Sequence, residues 1–186
     1  LETLDETKTA MGARLLKKWI LNPLIDVSQI NMRLDAVEEL VNNYMLRDEL
    51  RNLLSECADL ERIISRLNLG RVNPKEMIAL RDTLKIIPKF KELLSSAQSS
   101  LLITLREKMN ECENIRVLIE KAIVDDPPAT LQEGGIIRDG YDPYLDELRK
   151  VLREGKKWLM ELEERERRRT GIKSLKVGYN KIFGYY

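Results

Sequence analysis

The chain has 186 residues, 43% hydrophobic and 34% charged, enough apolar material for one folded body and too little glycine, proline and aromatic content for an all-β or open α/β protein. Its 32 Lys and Arg nearly cancel its 31 Asp and Glu, and a formal charge of +1 excludes a uniformly basic nucleic-acid binder, so any such contact has to be local. Histidine is absent, which removes Ser-His-Asp and Cys-His catalysis, His-ligated zinc and the commonest general base together.

Cys57 and Cys112 lie far apart without CxxC spacing, which reads as a reduced intracellular protein rather than a disulfide framework. No apolar run approaches the length of about 18 residues that a membrane span requires. Leu1-Glu2-Thr3-Leu4-Asp5 has neither a basic n-region nor an h-region, so a cytoplasmic protein without membrane segments is expected. The chain lacks an initiator Met and stops at Gly184-Tyr185-Tyr186 in what reads as mid-strand; both ends read as cut.

A short first helix carries Leu15, Leu16, Trp19 and Ile20 and should end before Pro23, whose ring disfavours helical geometry at Asn22. From Val27 the apolar positions Val27, Ile30, Leu34, Val37, Val41 and Tyr44 step by three and four, placing all six on one stripe, with Asp26 and Gln29 able to close a capping box. That stripe and Trp19 are expected in the core. Leu46, Leu50, Leu53 and Cys57 continue the rhythm, and Leu60, Ile63, Ile64 and Leu67 resume it after Asp59. Asn73 as N-cap, Pro74 at the first helical position and Glu76 at the third start another helix, with stripe Met77, Leu80, Leu84, Ile87. Pro88 suggests a new first turn; the serines near residues 95–100 weaken helix propensity before Leu102, Leu105, Met109 and Cys112 restore a stripe.

The texture changes at Asp125-Asp126-Pro127-Pro128, and Gly135-Ile136-Ile137-Arg138-Asp139-Gly140 reads as an extended connector. Asp142 and Pro143 then start the longest helix, with Leu145, Leu148, Leu152, Gly155, Leu159 and Leu162 at heptad seam positions. Roughly 28 residues at about 1.5 Å each would reach about 40 Å, the length of an arm. Each seam Leu left wet forfeits about 1.5–3 kcal/mol, so a partner helix is expected alongside, with Gly155 allowing its close approach. After Thr170-Gly171 the period becomes two: Leu175, Val177 and Tyr179 alternate with Lys176 and Gly178, Asn180-Lys181 turns, and a return strand starts at Ile182.

The run Arg165-Glu166-Arg167-Arg168-Arg169-Thr170-Gly171-Ile172-Lys173-Ser174-Leu175-Lys176-Val177-Gly178-Tyr179-Asn180-Lys181-Ile182-Phe183-Gly184-Tyr185-Tyr186 closely resembles the lever-to-clamp passage of bacterial MutS-type mismatch-repair proteins. Leu4-Asp5-Glu6-Thr7-Lys8-Thr9-Ala10-Met11-Gly12-Ala13-Arg14-Leu15-Leu16-Lys17-Lys18-Trp19 and Asp59-Leu60-Glu61-Arg62-Ile63-Ile64-Ser65-Arg66-Leu67, followed by Asn73-Pro74, agree in order and spacing. The resemblance implies an all-α fold, an elongated helical lever with one long coiled-coil-like arm that ends in the start of a small β clamp. Residues 1–124 would be the helical body, 125–141 the connector, 142–170 the arm and 171–186 the start of the clamp. It further implies a parent that is a homodimeric, ATP- and Mg-dependent sensor of mismatched DNA, with MutL as a partner. The mismatch-reading Phe and Glu and the phosphate loop GxxxxGK[ST] are missing here, so no catalytic residue, metal ligand or cofactor is assigned to this chain.

Between residues 164 and 181, Arg165, Arg167, Arg168, Arg169, Lys173, Lys176 and Lys181 outnumber Glu164 and Glu166, a pattern that attracts phosphates without reading bases. On charge alone, a solvated helix end whose cations offset the C-terminal dipole is the better account of this pattern. On the family position, Lys173, Lys176, Asn180 and Lys181 are the residues expected near the backbone of duplex DNA. Glu161, Glu163 and Glu164 read as solvating the helix rather than binding metal, since no ligand loop accompanies them. The competing reading is a helical coiled-coil scaffold or protein-interaction module with no DNA role, against which the β tip argues.

Overall fold

A computed structural model describes residues 3–180, 182 and 184–186, with Asn180 and Tyr185 described by backbone alone. Among them are eight α-helices and a two-stranded antiparallel hairpin, and the chain divides into two compact units, Leu1–Arg138 and Asp139–Tyr186. Among the described residues no helix is long and apolar enough to cross a membrane. Cys57 and Cys112 are free and half-buried, and burial pushes the Cys57 thiol pKa up.

The first unit runs through α1 (Ala10–Leu21), α2 (Val27–Asn42), α3 (Tyr44–Ser55), α4 (Leu60–Asn68), α5 (Pro74–Leu93), α6 (Ser100–Lys108) and α7 (Glu113–Ala122). Most helix starts are fixed by side chains that accept orphan backbone N–H groups. Thr9 accepts from Gly12, Asp26 from Ser28 and Gln29, Asn43 from Leu46, and Asp59 from Arg62. At α5 the capping box is complete: Asn73 Oδ1 accepts from Glu76 N at 2.8 Å and Glu76 Oε2 accepts from Asn73 N at 2.9 Å. The start of α6 is capped from another helix, because the Glu39 carboxylate of α2 accepts from Gln98 N at 2.8 Å and Ser99 N at 2.7 Å. Burial works against ionisation of Glu39, but the hydrogen bonds from Ser99 and Gln98 outweigh it and hold the carboxyl below its ordinary range.

Helix α5 is the hub of this unit, packing on α3, α4, α6 and α7. Leu80 and Leu84 meet Ile63 of α4 and Ile119 of α7 in one cluster, while Leu94, just past the end of α5, joins Ala36, Ala97 and Leu102 in a second. The break expected at Pro88 does not occur: α5 continues from Pro74 to Leu93 with Pro88 inside it. Leu84, Ile86 and Phe90 on either side of the proline are buried, and that packing outweighs the roughly 3 kcal/mol that an interior proline costs a helix. Thr83, 1% exposed, donates to Ala79 O and accepts from Ala58 N, so its hydroxyl ties α5 to the turn before α4.

The expected core stripe of α2 is overturned. Leu34, Val37, Val41 and Tyr44 are exposed, as is Val27, while Ala36 is the buried residue of the helix and Leu40 packs beside it. The small Ala36 side chain lets α6 approach α2 on a different face, so the three-four periodicity marks a helix correctly but points to the wrong side of it. Trp19 is also partly exposed, with the Arg33 guanidinium 3.8 Å from its ring centroid, a cation–π contact in place of a core position.

Beyond α7 the chain turns back on itself. Ile123 and Ile137 form an antiparallel bridge, Val124 N donates to Ile136 O at 3.0 Å, and Arg138 N donates to Ala122 O at 2.8 Å. The Asp125 carboxylate receives Arg81 Nη1 at 2.6 Å and Arg138 Nη2 at 3.2 Å, which holds its pKa below the usual carboxylate range.

The second unit is α8 (Pro143–Thr170), a helix of 28 residues, followed by β1 (Tyr179–Asn180) and β2 (Gly184–Tyr185). Asp142 accepts from Tyr144 N at 2.9 Å and Leu145 N at 3.1 Å, and Pro143 occupies the first turn, where its missing N–H costs nothing. Gly171 ends the helix with φ +72°, a left-handed turn that glycine takes without steric penalty. No residue of α8 is buried, and Leu148 and Leu152 of its seam are exposed.

Candidate nucleic-acid interface

The hairpin pairs Tyr179 with Tyr185 and Asn180 with Gly184, and Gly178 and Tyr186 exchange both backbone hydrogen bonds at 2.9 and 3.0 Å. Asn180, expected in the turn, is thus a strand residue, and the return strand is assigned from Gly184. The Tyr186 ring lies over Gly178, where a side chain's Cβ would come within 2.7 Å of the ring, so any larger residue there would displace the tyrosine.

Between α8 and β1 the chain makes a turn at Lys173-Ser174 and then runs extended. Leu175 and Val177 are half-buried while Lys176 between them is exposed, the alternation expected of a chain with one face against a support; Lys173, in the turn, is exposed as well. The support is the last part of α8. Arg167 Nε donates to Leu175 O at 2.6 Å, and Val177 N donates to Glu163 Oε2 at 3.0 Å. The two side chains also pair, Arg167 Nη2 lying 2.5 Å from Glu163 Oε1.

The positive charge counted along the sequence is distributed unevenly in space. Arg165 lies 3.8 Å from Glu166, Arg169 lies 2.7 Å from the same carboxylate, Arg167 pairs with Glu163 and Arg168 with Glu164. Four arginines therefore have glutamate partners on the helix itself, which weakens their field. Among the described residues Lys173 and Lys176 form no ion pair, in contrast to these arginines. Of the four residues expected at the DNA backbone, these two stand exposed, Asn180 is placed by its backbone in β1, and Lys181 lies outside the described residues. Sequence reasoning misses Glu163 and Arg167 as parts of this site. Their spacing of four reads as an ordinary helix-surface pair, and nothing in the sequence signals that both also reach the chain beyond Gly171.

Among the described residues no group of three or more Asp, Glu, Cys or His is placed to hold a metal ion. What the tip can do chemically is present ammonium groups and backbone amides to an anionic polymer, a contact that neutralises phosphates without discriminating bases.

The sequence profile of MutS domain III matches residues 1–176. The chain is 48% identical over 188 aligned residues to the DNA mismatch repair protein MutS of Methanothrix thermoacetophila, covering 100% of this chain and 22% of that protein. It is 50% identical over 186 residues to the protein of that name from Caldanaerobacter subterraneus subsp. tengcongensis, again covering 100% of this chain and 21% of the relative. With the protein of that name from Symbiobacterium thermophilum the identity is 49% over 183 residues, 98% of this chain and 21% of the relative. The chain thus spans about one fifth of the length of these relatives, and it belongs to the MutS family of mismatch-repair proteins as a domain III segment.

Proposed function

We propose that this chain is the lever of a MutS protein, coupling an ATP-hydrolysing domain elsewhere in the parent to a clamp that holds duplex DNA by non-specific backbone contacts. In this reading residues 1–124 form the helical body, 142–170 the arm and 171–186 the start of the clamp. The connector at 125–141 contains the division between the two units at Arg138 and Asp139. ATP, Mg, a second copy of the parent, MutL and a cytoplasmic setting are assigned to the parent in this reading, and what supports them is family resemblance.

The observation that carries the DNA reading is the pair of exposed lysines with no ion pair among the described residues, Lys173 and Lys176, just beyond a helix end whose four arginines, Arg165, Arg167, Arg168 and Arg169, are paired with glutamates. Asn180 and Lys181 are included on the family resemblance of the sequence that carries them. The arm reading is supported by the length of α8, 28 residues, which at about 1.5 Å per residue gives a rod of about 42 Å. A continuous hydrogen-bonded helix moves as one piece, so a small rotation at Pro143 would become a larger displacement at Thr170.

The test is the salt dependence of duplex binding by the full-length protein with Lys173, Lys176 and Lys181 all changed to Glu. The expected result is weaker binding and a shallower slope of log affinity against log salt, by about 0.9 for each phosphate no longer neutralised. Unchanged affinity and slope would remove the tip from the DNA interface.

A further inference from the structure

We propose that Glu163 and Arg167 are positioning residues that set the pose of the lysine-bearing segment on the end of α8, so that a negatively charged side chain strengthens DNA binding. The inference rests on the reading that Lys173 and Lys176 meet phosphates, and it assigns to two residues of α8 a role that their charge alone would not suggest.

Each of the two side chains has one partner on the helix and one beyond it. One Glu163 oxygen takes Arg167 Nη2 at 2.5 Å and the other accepts Val177 N at 3.0 Å, while Arg167 Nε donates to Leu175 O at 2.6 Å. The backbone is therefore held immediately before and immediately after Lys176. The pair is also more sheltered than its neighbour: side-chain exposures are 37% and 25% for Arg167 and Glu163, against 78% and 64% for Arg168 and Glu164. Shelter strengthens a charged hydrogen bond, and the planar guanidinium fork lets Arg167 hold a carbonyl and a carboxylate together, which a single ammonium cannot reproduce in that geometry. With Leu175 and Val177 fixed, Lys176 between them is directed to the opposite side of the extended chain. Holding the segment in its binding pose beforehand lowers the ordering cost of association.

The sign of one substitution separates this role from electrostatics. A carboxylate near a phosphate-binding tip repels the ligand, so its neutralisation by Glu163→Gln should tighten binding if charge were all that mattered; a positioning residue gives the reverse. Likewise Arg167→Lys keeps the charge and loses the fork. The experiment measures binding of a labelled mismatched duplex to the full-length protein carrying E163Q, R167K, K173A/K176A, and each of the first two combined with the lysine pair, with the thermal midpoint of every variant. We expect E163Q and R167K each to weaken binding roughly three- to tenfold at unchanged thermal midpoint. Neither should weaken it further in the K173A/K176A background. If K173A/K176A weakens binding while E163Q leaves it equal or tighter and R167K leaves it equal, the positioning role is overturned and the phosphate reading stands. If K173A/K176A has no effect, the phosphate reading itself fails. Additive losses in the combined variants, or a lowered thermal midpoint that tracks the loss, would assign the pair to general helix stability and equally overturn the proposal.

Discussion

In the unit Leu1–Arg138, Ile63, Leu80, Leu84 and Ile119 interlock from three helices, whereas in the unit Asp139–Tyr186 a helix of 28 residues carries no buried side chain at all. The first unit is stabilised by apolar area removed from water. The second relies on local devices: the Asp142 cap, the glycine at its end, and pairs such as Arg167 with Glu163 and Lys150 with Glu154. Pairs of this kind contribute only about 0.2–0.5 kcal/mol each, so the second unit should respond weakly to single substitutions that would unfold the first. The difference teaches that apolar residues at helical spacing identify a face, and that only a neighbouring element turns that face into a core.

The largest contrast is expected between two leucines. Leu84→Ala should lower the unfolding free energy by about 2–5 kcal/mol, because Leu84 is 7% exposed and its removal leaves a cavity between α5 and α7. Leu152→Ala, at a position 66% exposed, should change it by less than about 0.5 kcal/mol. Urea denaturation of both variants checks the pair, and equal losses would break the distinction between the units.

Arg81→Ala comes next. Its side chain is 7% exposed and bonded to Asp82 and Asp125, but both acceptors are largely solvated, so a loss of about 2 kcal/mol is expected rather than the larger cost of stranding a buried charge. Because Asp125 also receives Arg138, this variant should loosen the turned-back stretch beyond α7, and faster amide exchange at Val124 and Arg138 would report it.

Acidification sharpens the same contrast. Glu39 has a carboxyl pKa held below its ordinary value of 4.5, so its contribution is fully present above that unfolded-chain value and is lost as pH falls through the lower folded value. Asp59, lowered chiefly by the hydrogen bond from Arg14, and Asp125, lowered chiefly by that from Arg81, add in the same direction. The urea midpoint should therefore fall as pH drops below about 4.5, and Glu39→Gln should flatten part of that fall. The smallest effect is expected for Glu164→Gln, whose partner Arg168 is exposed; a change within about 0.5 kcal/mol by thermal denaturation would fit a surface pair.

Helix starts are legible in the sequence because capping is written locally. Asn73-Pro74 with Glu76, and Asp142-Pro143, each specify an N-terminus within four residues, and both helices begin there. Burial is not legible in the same way. Val37 and Ala36 are adjacent, and the choice of the alanine side of α2 depends on α6, some sixty residues later in the chain. Pro88 shows the same limit, since the packing that carries α5 past it comes from other helices. At the tip, the lysines are visible as charge, but the pairing of the four arginines and the reach of Glu163 and Arg167 to Val177 and Leu175 are tertiary facts.

As the proposed lever, α8 should move as a rod when the parent protein binds nucleotide. Spin labels at Lys18 of α1 and Arg165 of α8, with every native cysteine of the full-length protein replaced, would give the distance distribution with and without ATP. A swing of only about 10° at Pro143 would displace Arg165, about 33 Å along the helix, by about 6 Å. A shift of that order is expected on adding nucleotide. Superimposable distributions in both states would contradict the lever reading.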